Sequence, residues 1–243
     1  MKKVIIFDLD GTLTESKTKI DDEMAGLVCQ LLAKKFVAVI SGASFEQFKW
    51  QLLSGLPCEN RFNKLFLLPE SGAELWCLES DEWQKKYSQI IPEELRKKII
   101  SAIAEMAHIP SEKIKNFIDD LESEVSYSAL GLAAPLEQKK LYDPYENRRR
   151  DFVSKIAPQF PELSFHIGGT TTVNITLKDI DKAFGVRQLL EYVHINVSDA
   201  LFVGDALYSG GNDEAAEAAG EDVLSTKGPE ETKEIIRKIL NEK

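Results

Sequence analysis

The chain has 243 residues, 43% of them hydrophobic, enough for one large domain or a core with a smaller partner domain. Forty acidic against 30 basic residues give a formal net charge of −10, which argues against nucleic-acid or anionic-membrane partners, since those need basic patches. No apolar run approaches the ~20 residues of a membrane span, and the one after Met1-Lys2-Lys3 stops at Asp8, too early for a secretory leader.

Residues 4–7 form a short apolar strand that runs into Asp8, Asp10 and the turn residue Gly11. Strand positions i and i+2 point the same way, so both carboxylates can project where the sheet ends. Such a pair suits a hard cation such as Mg2+, or covalent catalysis through a phosphorylated aspartate; it also fits an ordinary Asp-Gly turn. Residues 21–35 carry Met24, Leu27, Val28, Leu31 and Leu32 at helical spacing. A strand over 36–40 leads through Ser41-Gly42-Ala43 into a helix whose Ser44 and Gln47 fit a capping box. Strands at 64–68 and 73–78 follow. Strands alternating with helices predict a parallel sheet covered on both faces.

The pattern then changes. Residues 92–108 read as a long amphipathic helix, 125–130 as a strand and 144–156 as a helix. Strands at 163–167 and 171–177 flank the hairpin signal Gly168-Gly169. Alternation returns with a helix at 182–192, a strand at 200–203, a helix at 212–219, a strand at 222–224 and a helix from Pro229. The expected architecture is an α/β, Rossmann-like core (1–81 and 186–243) interrupted by an α+β insertion (82–185). The run Arg148-Arg149-Arg150 is the densest positive cluster and reads most simply as a solvated helix face. Cys29, Cys58 and Cys77 are odd in number and lack metal-site spacing, which predicts reduced thiols in a cytoplasmic protein.

Ligands of parallel sheets gather beyond the carboxyl ends of the strands. Four features fall there: Asp8 with Asp10; Ser41; Gly204-Asp205 with Asn212 and Asp213 following; and Lys182, which opens the helix before that strand. Singly, Ser41 could satisfy backbone donors, Lys182 lie on the surface, Asn212 cap a helix and Asp205 sit in a turn. Jointly they describe a phosphate-and-magnesium site.

In sequence order, FDLDGT, ISG, Lys182 and GDALYSGGND resemble the motifs of the haloacid dehalogenase (HAD) superfamily, and the insertion resembles its C2-type cap. Pro69-Glu70-Ser71-Gly72-Ala73, Ile167-Gly168-Gly169 and the long loop after Asp205 are similar to eukaryotic-type phosphomannomutases. The resemblance implies Asp8 as nucleophile and metal ligand and Asp10 as acid/base, with only the Asp10 main-chain carbonyl on Mg2+. It implies Asp205, supported by Asp213, as further metal ligands, and Ser41, Gly42, Lys182 and Asn212 as phosphate ligands. It also implies a small-molecule sugar phosphate as substrate and a homodimer through the cap.

The sequence departs from that family in the cap. Residues 117–140 align with the segment that bears its phosphate-binding arginines but contain none; Leu121, Glu122 and Leu132 stand near those positions. Lys139, Lys140 and Arg148 to Arg150, Arg149 in particular, are the candidate substitutes, and Thr172 and Asn174 the candidate sugar contacts. Loss of guanidinium forks weakens retention of a bisphosphate, so net hydrolysis of hexose phosphates is expected, with mutase activity the alternative. A non-catalytic sugar-phosphate sensor has no need of the Asp8, Asp10, Lys182 and Asp205 set.

Overall fold

The computed structural model describes residues 2–208, 211, 213, 220 and 222–241. The chain divides into two compact units: residues 1–88 with 182–243, and the inserted residues 89–181. In chain order the first unit begins with β1 (Val4–Asp8), α1 (Asp22–Lys34), β2 (Phe36–Ile40), α2 (Phe45–Gln51), β3 (Leu65–Leu68), β4 (Glu74–Glu79) and β5 (Glu82–Ser88). The insertion holds α3 (Glu93–Met106), α4 (Ile114–Phe117), β6 (Ile118–Asp120), β7 (Val125–Ser128), α5 (Leu136–Tyr142), α6 (Asn147–Ile156), β8 (Leu163–Gly168) and β9 (Thr172–Leu177). The chain returns through α7 (Lys182–Tyr192), β10 (Ala200–Gly204), β11 (Asp222–Ser225) and α8 (Pro229–Asn241).

The core sheet runs β11-β10-β1-β2-β3-β4-β5, parallel as far as β3 and antiparallel beyond it. Apart from Asp8 at the end of β1, its central strands are apolar because both faces are covered. Ile5, Phe7, Val37, Val39, Leu201 and Val203 pack on one side with Met24, Leu31 and Ile236 of α1 and α8. Val4, Ile6, Ala38, Ile40 and Phe202 pack on the other with Val186, Leu189 and Leu190 of α7. Each such side chain, fully buried, contributes about 1.5–3 kcal/mol. The expected boundaries shift accordingly. Residues 82–88 belong to the core because β5 pairs along β4, and residues 182–185 do because α7 buries Ala183 and Gly185 within the same unit.

The insertion is an antiparallel sheet, β6-β7-β9-β8, with one apolar and one polar face. Val125, Tyr127, Val173 and Ile175 meet Ile99 and Ile103 of α3 and Ile156 of α6. The alternate positions are Ser126 and Ser128 on β7 and Thr172, Asn174 and Thr176 on β9. Gly169, at φ +50°, turns β8 into β9, as the Gly-Gly signal predicts. Strand β6 and helix α5 are absent from the sequence reading, being too short for a periodic signal. The predicted helix at 212–219 lies outside the described residues.

The cysteine expectation is corrected. Cys29 of α1 and Cys58 form a disulfide, with Cα atoms 5.8 Å apart, and both are buried. Tertiary packing of α1 beside the turn before β3 brings together thiols 29 residues apart, and Arg61 Nη1 adds a hydrogen bond to the Cys29 carbonyl. Cys77 is free and buried. No helix among the described residues is long and apolar enough to cross a membrane.

Candidate active site

Strand register assembles the site. Asp8 pairs with Ile40, and Phe7 with Val203, so Ser41 and Gly204-Asp205 leave their strands level with the end of β1. Lys182, the first residue of α7, sets its ammonium 2.5 Å from Asp8 Oδ1 and 2.5 Å from Asp213 Oδ1, with all three side chains buried. Asp213 Oδ2 also accepts the Ala206 N–H at 3.0 Å. Thr12 donates to Asp205 at 3.3 Å. Two glycines make room for these acids. A Cβ on Gly11, which holds φ +87°, would lie 2.5 Å from Asp205 Oδ2, and one on Gly204 would collide with the Asp213 carboxylate.

Among the described residues, Asp8, Asp205 and Asp213 form a group whose ligand oxygens all lie within 4.8 Å of one another. Three carboxylates against the Lys182 ammonium leave two surplus negative charges, the charge a divalent cation balances, and the all-oxygen donor set suits a hard ion such as Mg2+. Burial raises the Asp8 pKa well above the usual carboxylate range; Lys182 opposes this, but Asp213 and Asp205 reinforce it. Desolvation, aided by Asp213, pushes Asp205 up to about 6, although that side chain still presents surface to solvent. Burial works against the Lys182 charge, but Asp213 and Asp8 overcome it and hold the ammonium firmly protonated.

Asp10 is outside this cluster. Its Oδ1 accepts the Lys17 N–H at 2.6 Å and the Gln51 side-chain amide at 2.7 Å, so its carboxylate meets neutral donors. Ser41 is buried, and its hydroxyl oxygen accepts the Ala43 N–H at 3.2 Å, leaving the proton to donate. Gly42 lies within that same turn. The turn is braced from below: Ser71 N–H bonds the Ser41 carbonyl and Glu70 N–H the Ala43 carbonyl, with Glu70 and Ser71 both at positive φ (54° and 58°). Asn212, expected on the phosphate, lies outside the described residues. Two contributors escaped the sequence reading. Thr12 was visible within FDLDGT but had no assigned task; Gln51 carried no signal at all, since only tertiary packing brings α2 beside Asp10.

In the cap, the candidate substrate residues meet different fates. Arg149 is buried: its Nε donates to Asp143 at 3.0 Å, its Nη1 to the Gly168 and Gly169 carbonyls, and its Nη2 to the Asp143 carbonyl. This guanidinium secures the hairpin turn. For Arg149 the expectation that it faces a ligand gives way to that scaffold role, while Arg148 and Arg150 stay on the exposed face that the run was expected to form. Arg148 lies over the Tyr142 ring and Arg150 pairs with Glu146. Lys139, also buried, donates to the Leu132 carbonyl at 2.8 Å. Asn174 accepts from Ser126 at 3.1 Å across β7 and β9, and Thr172 is half-buried beside it on the same face.

The family model described as eukaryotic phosphomannomutase matches residues 24–242. The chain belongs to the eukaryotic phosphomannomutase family. It is 27% identical to the phosphomannomutase of Encephalitozoon cuniculi over 87% of this chain and 83% of that one. It is 25% identical to a probable phosphomannomutase of Caenorhabditis elegans over 99% and 96%. Solved structures show the same fold at 17% identity. A haloacid dehalogenase-like hydrolase from Bacteroides thetaiotaomicron has a TM-score of 0.67 over 98% of this chain and all of that one. An IMP-nucleotidase from Plasmodium falciparum has a TM-score of 0.70 over 99% of this chain and 70% of the other. This phosphomannomutase-family chain is thus an enzyme, a phosphotransferase of the haloacid dehalogenase type with the Rossmann-like core and inserted cap.

Proposed function

We propose that the protein transfers phosphoryl groups from sugar monophosphates through an aspartyl-phosphate on Asp8, with water as the net acceptor. The observation that carries the reading is the different surroundings of the two strand-end aspartates: Asp8 against Lys182 and two further acids, Asp10 on neutral donors. The Asp8 carboxylate attacks phosphorus in line and the ester P–O bond breaks, while Asp10 gives its proton to the departing sugar oxygen. Asp10 then takes a proton from the incoming water, whose oxygen displaces Asp8 and releases phosphate. Lys182, the Ser41 hydroxyl, the Gly42 backbone and Asn212 serve the phosphoryl oxygens, where placed charge and donors provide most of the rate. Asp8, Asp205, Asp213 and the Asp10 carbonyl would hold Mg2+, which when bound would supply the charge that lets an anionic ester approach Asp8.

Water is favoured as acceptor because residues 117–140 hold no arginine, Arg149 is committed to Asp143 and the hairpin, and Lys139 bonds the Leu132 carbonyl. That segment lacks the guanidinium forks that retain a second phosphate. Interconversion of hexose 1- and 6-phosphates is the second reading, favoured by the names of the relatives. Phosphate release from hexose phosphates with Mg2+, with and without a hexose 1,6-bisphosphate, separates the two. Net hydrolysis predicts free phosphate, abolished by Asp8→Asn; isomerisation that depends on the bisphosphate, with little phosphate released, would establish the mutase.

A further inference from the structure

Gln51 closes α2 with its side chain wholly buried, a costly place for an amide without partners. Its hydrogen bonds link α2 to Asp10, to Thr14 and to the loop that follows β1. The Gln51 carbonyl oxygen Oε1 accepts from Gln47 Nε2 at 2.9 Å. Its Nε2 donates one proton to Asp10 Oδ1 and the other to Thr14 Oγ1, both at 2.7 Å. Thr14 sends its own hydroxyl proton to the Leu9 carbonyl, so its oxygen is an acceptor and the orientation of the amide is determined: reversed, it would set a carbonyl oxygen against a carboxylate. The Gln51 main-chain carbonyl accepts Ile20 N–H at 2.9 Å, tying down the loop whose Lys17 N–H supplies the other donor on Asp10 Oδ1.

We infer that Gln51 is the positioning residue of Asp10, fixing the torsion at which its carboxyl group faces the reaction. Two N–H donors occupy Oδ1, so the amide and the loop together set the torsion at which Oδ2 is presented. Both donors are neutral. The amide thus orients Asp10 without placing a charge beside it. Gln47 stands one step further out, fixing the amide that fixes Asp10.

The inference rests on the reading of Asp10 as general acid, and its test separates the two. Kinetics are measured on monophosphate esters of graded leaving-group basicity, from 4-nitrophenyl through phenyl to alkyl. A good leaving group needs no proton, so Gln51→Met should leave kcat/KM for 4-nitrophenyl phosphate within about threefold while phenyl and alkyl esters fall about 30-fold, part of the 10²–10⁴ that general acid catalysis contributes. Gln47→Met, at a half-buried position that tolerates an apolar chain, should move the same ratio in the same direction by a smaller factor. The Gln51 side-chain amide resonance, identified by its loss in Gln51→Met, should shift in Asp10→Asn. A parallel loss for every ester assigns Gln51 a structural role only and overturns the inference, as does a resonance unmoved by Asp10→Asn. A shifted resonance in an enzyme that cleaves none of the esters upholds the contact and counts against the phosphoryl-transfer reading alone.

Discussion

Replacing Lys182 by Met tests the electrostatic account of the site most directly. The ammonium is bonded at 2.5 Å to both Asp8 and Asp213, and all three side chains are buried. Removing it strands carboxylates that remain close together with a third at their side. Breaking a buried pair from one side costs about 3–5 kcal/mol. At roughly 2–4 °C per kcal/mol for a chain of this length, the melting temperature of the metal-free protein should fall by about 6–20 °C at pH 8. The sign of the pH dependence follows from Asp8, whose folded pKa burial already raises above its unfolded value. Such a group holds its proton more tightly folded than unfolded, so it weakens the folded state as pH rises from the unfolded towards the folded pKa, and protonation restores stability on the way down. Without Lys182 the shift grows, so the deficit should shrink at pH 5. Thermal melts of wild type and variant at pH 5 and pH 8, with and without Mg2+, measure this. Adding Asp8→Asn to the variant should recover much of the loss. A deficit under about 2 °C at pH 8, or one larger at pH 5 than at pH 8, would refute the reasoning.

Further outcomes follow from the same coordinates. Gly11→Ala pushes a Cβ into the Asp205 carboxylate at a φ of +87°, so calorimetric Mg2+ affinity should drop at least about tenfold, equivalent to 1.4 kcal/mol. Asp205 is pushed up to about 6, so Mg2+ must displace a proton below that pH; titrations from pH 7.5 to 5 should show affinity falling by about tenfold per unit once below 6. Reducing the Cys29–Cys58 bridge, or Cys29→Ser, opens a link across 29 residues and should cost about 3–4 kcal/mol in urea unfolding. Arg149→Met strips the buried partner of Asp143 and the donors of two glycine carbonyls, so amide exchange at 168–171 should accelerate while Mg2+ binding stays unchanged.

Much of the fold was legible because its elements are locally consistent. Asp21 caps α1 through Met24 N–H as its residue type suggests, and α7 spans the 182–192 range its periodicity predicts. Half of the expected capping box forms: Ser44 accepts Gln47 N–H, but the Gln47 side chain turns to Gln51 instead of returning to the cap. Strand β5 was missed because its partly exposed, charge-rich residues give little apolar signal; pairing with β4 alone makes it part of the core.

By itself the sequence determined the chemistry on offer. Acids, a hydroxyl and a lysine stand where strands end, and a strand end is a local property read from hydrophobic runs and turn residues. What the groups do to one another was a tertiary decision. Register set Asp8 beside Lys182 and two acids, while a loop and α2 drew Asp10 onto neutral donors. Packing also joined Cys29 to Cys58, spent Arg149 on a hairpin and brought in Gln51. Charge, burial and hydrogen-bond partners are properties of neighbours in space, and no spacing along the chain encodes them.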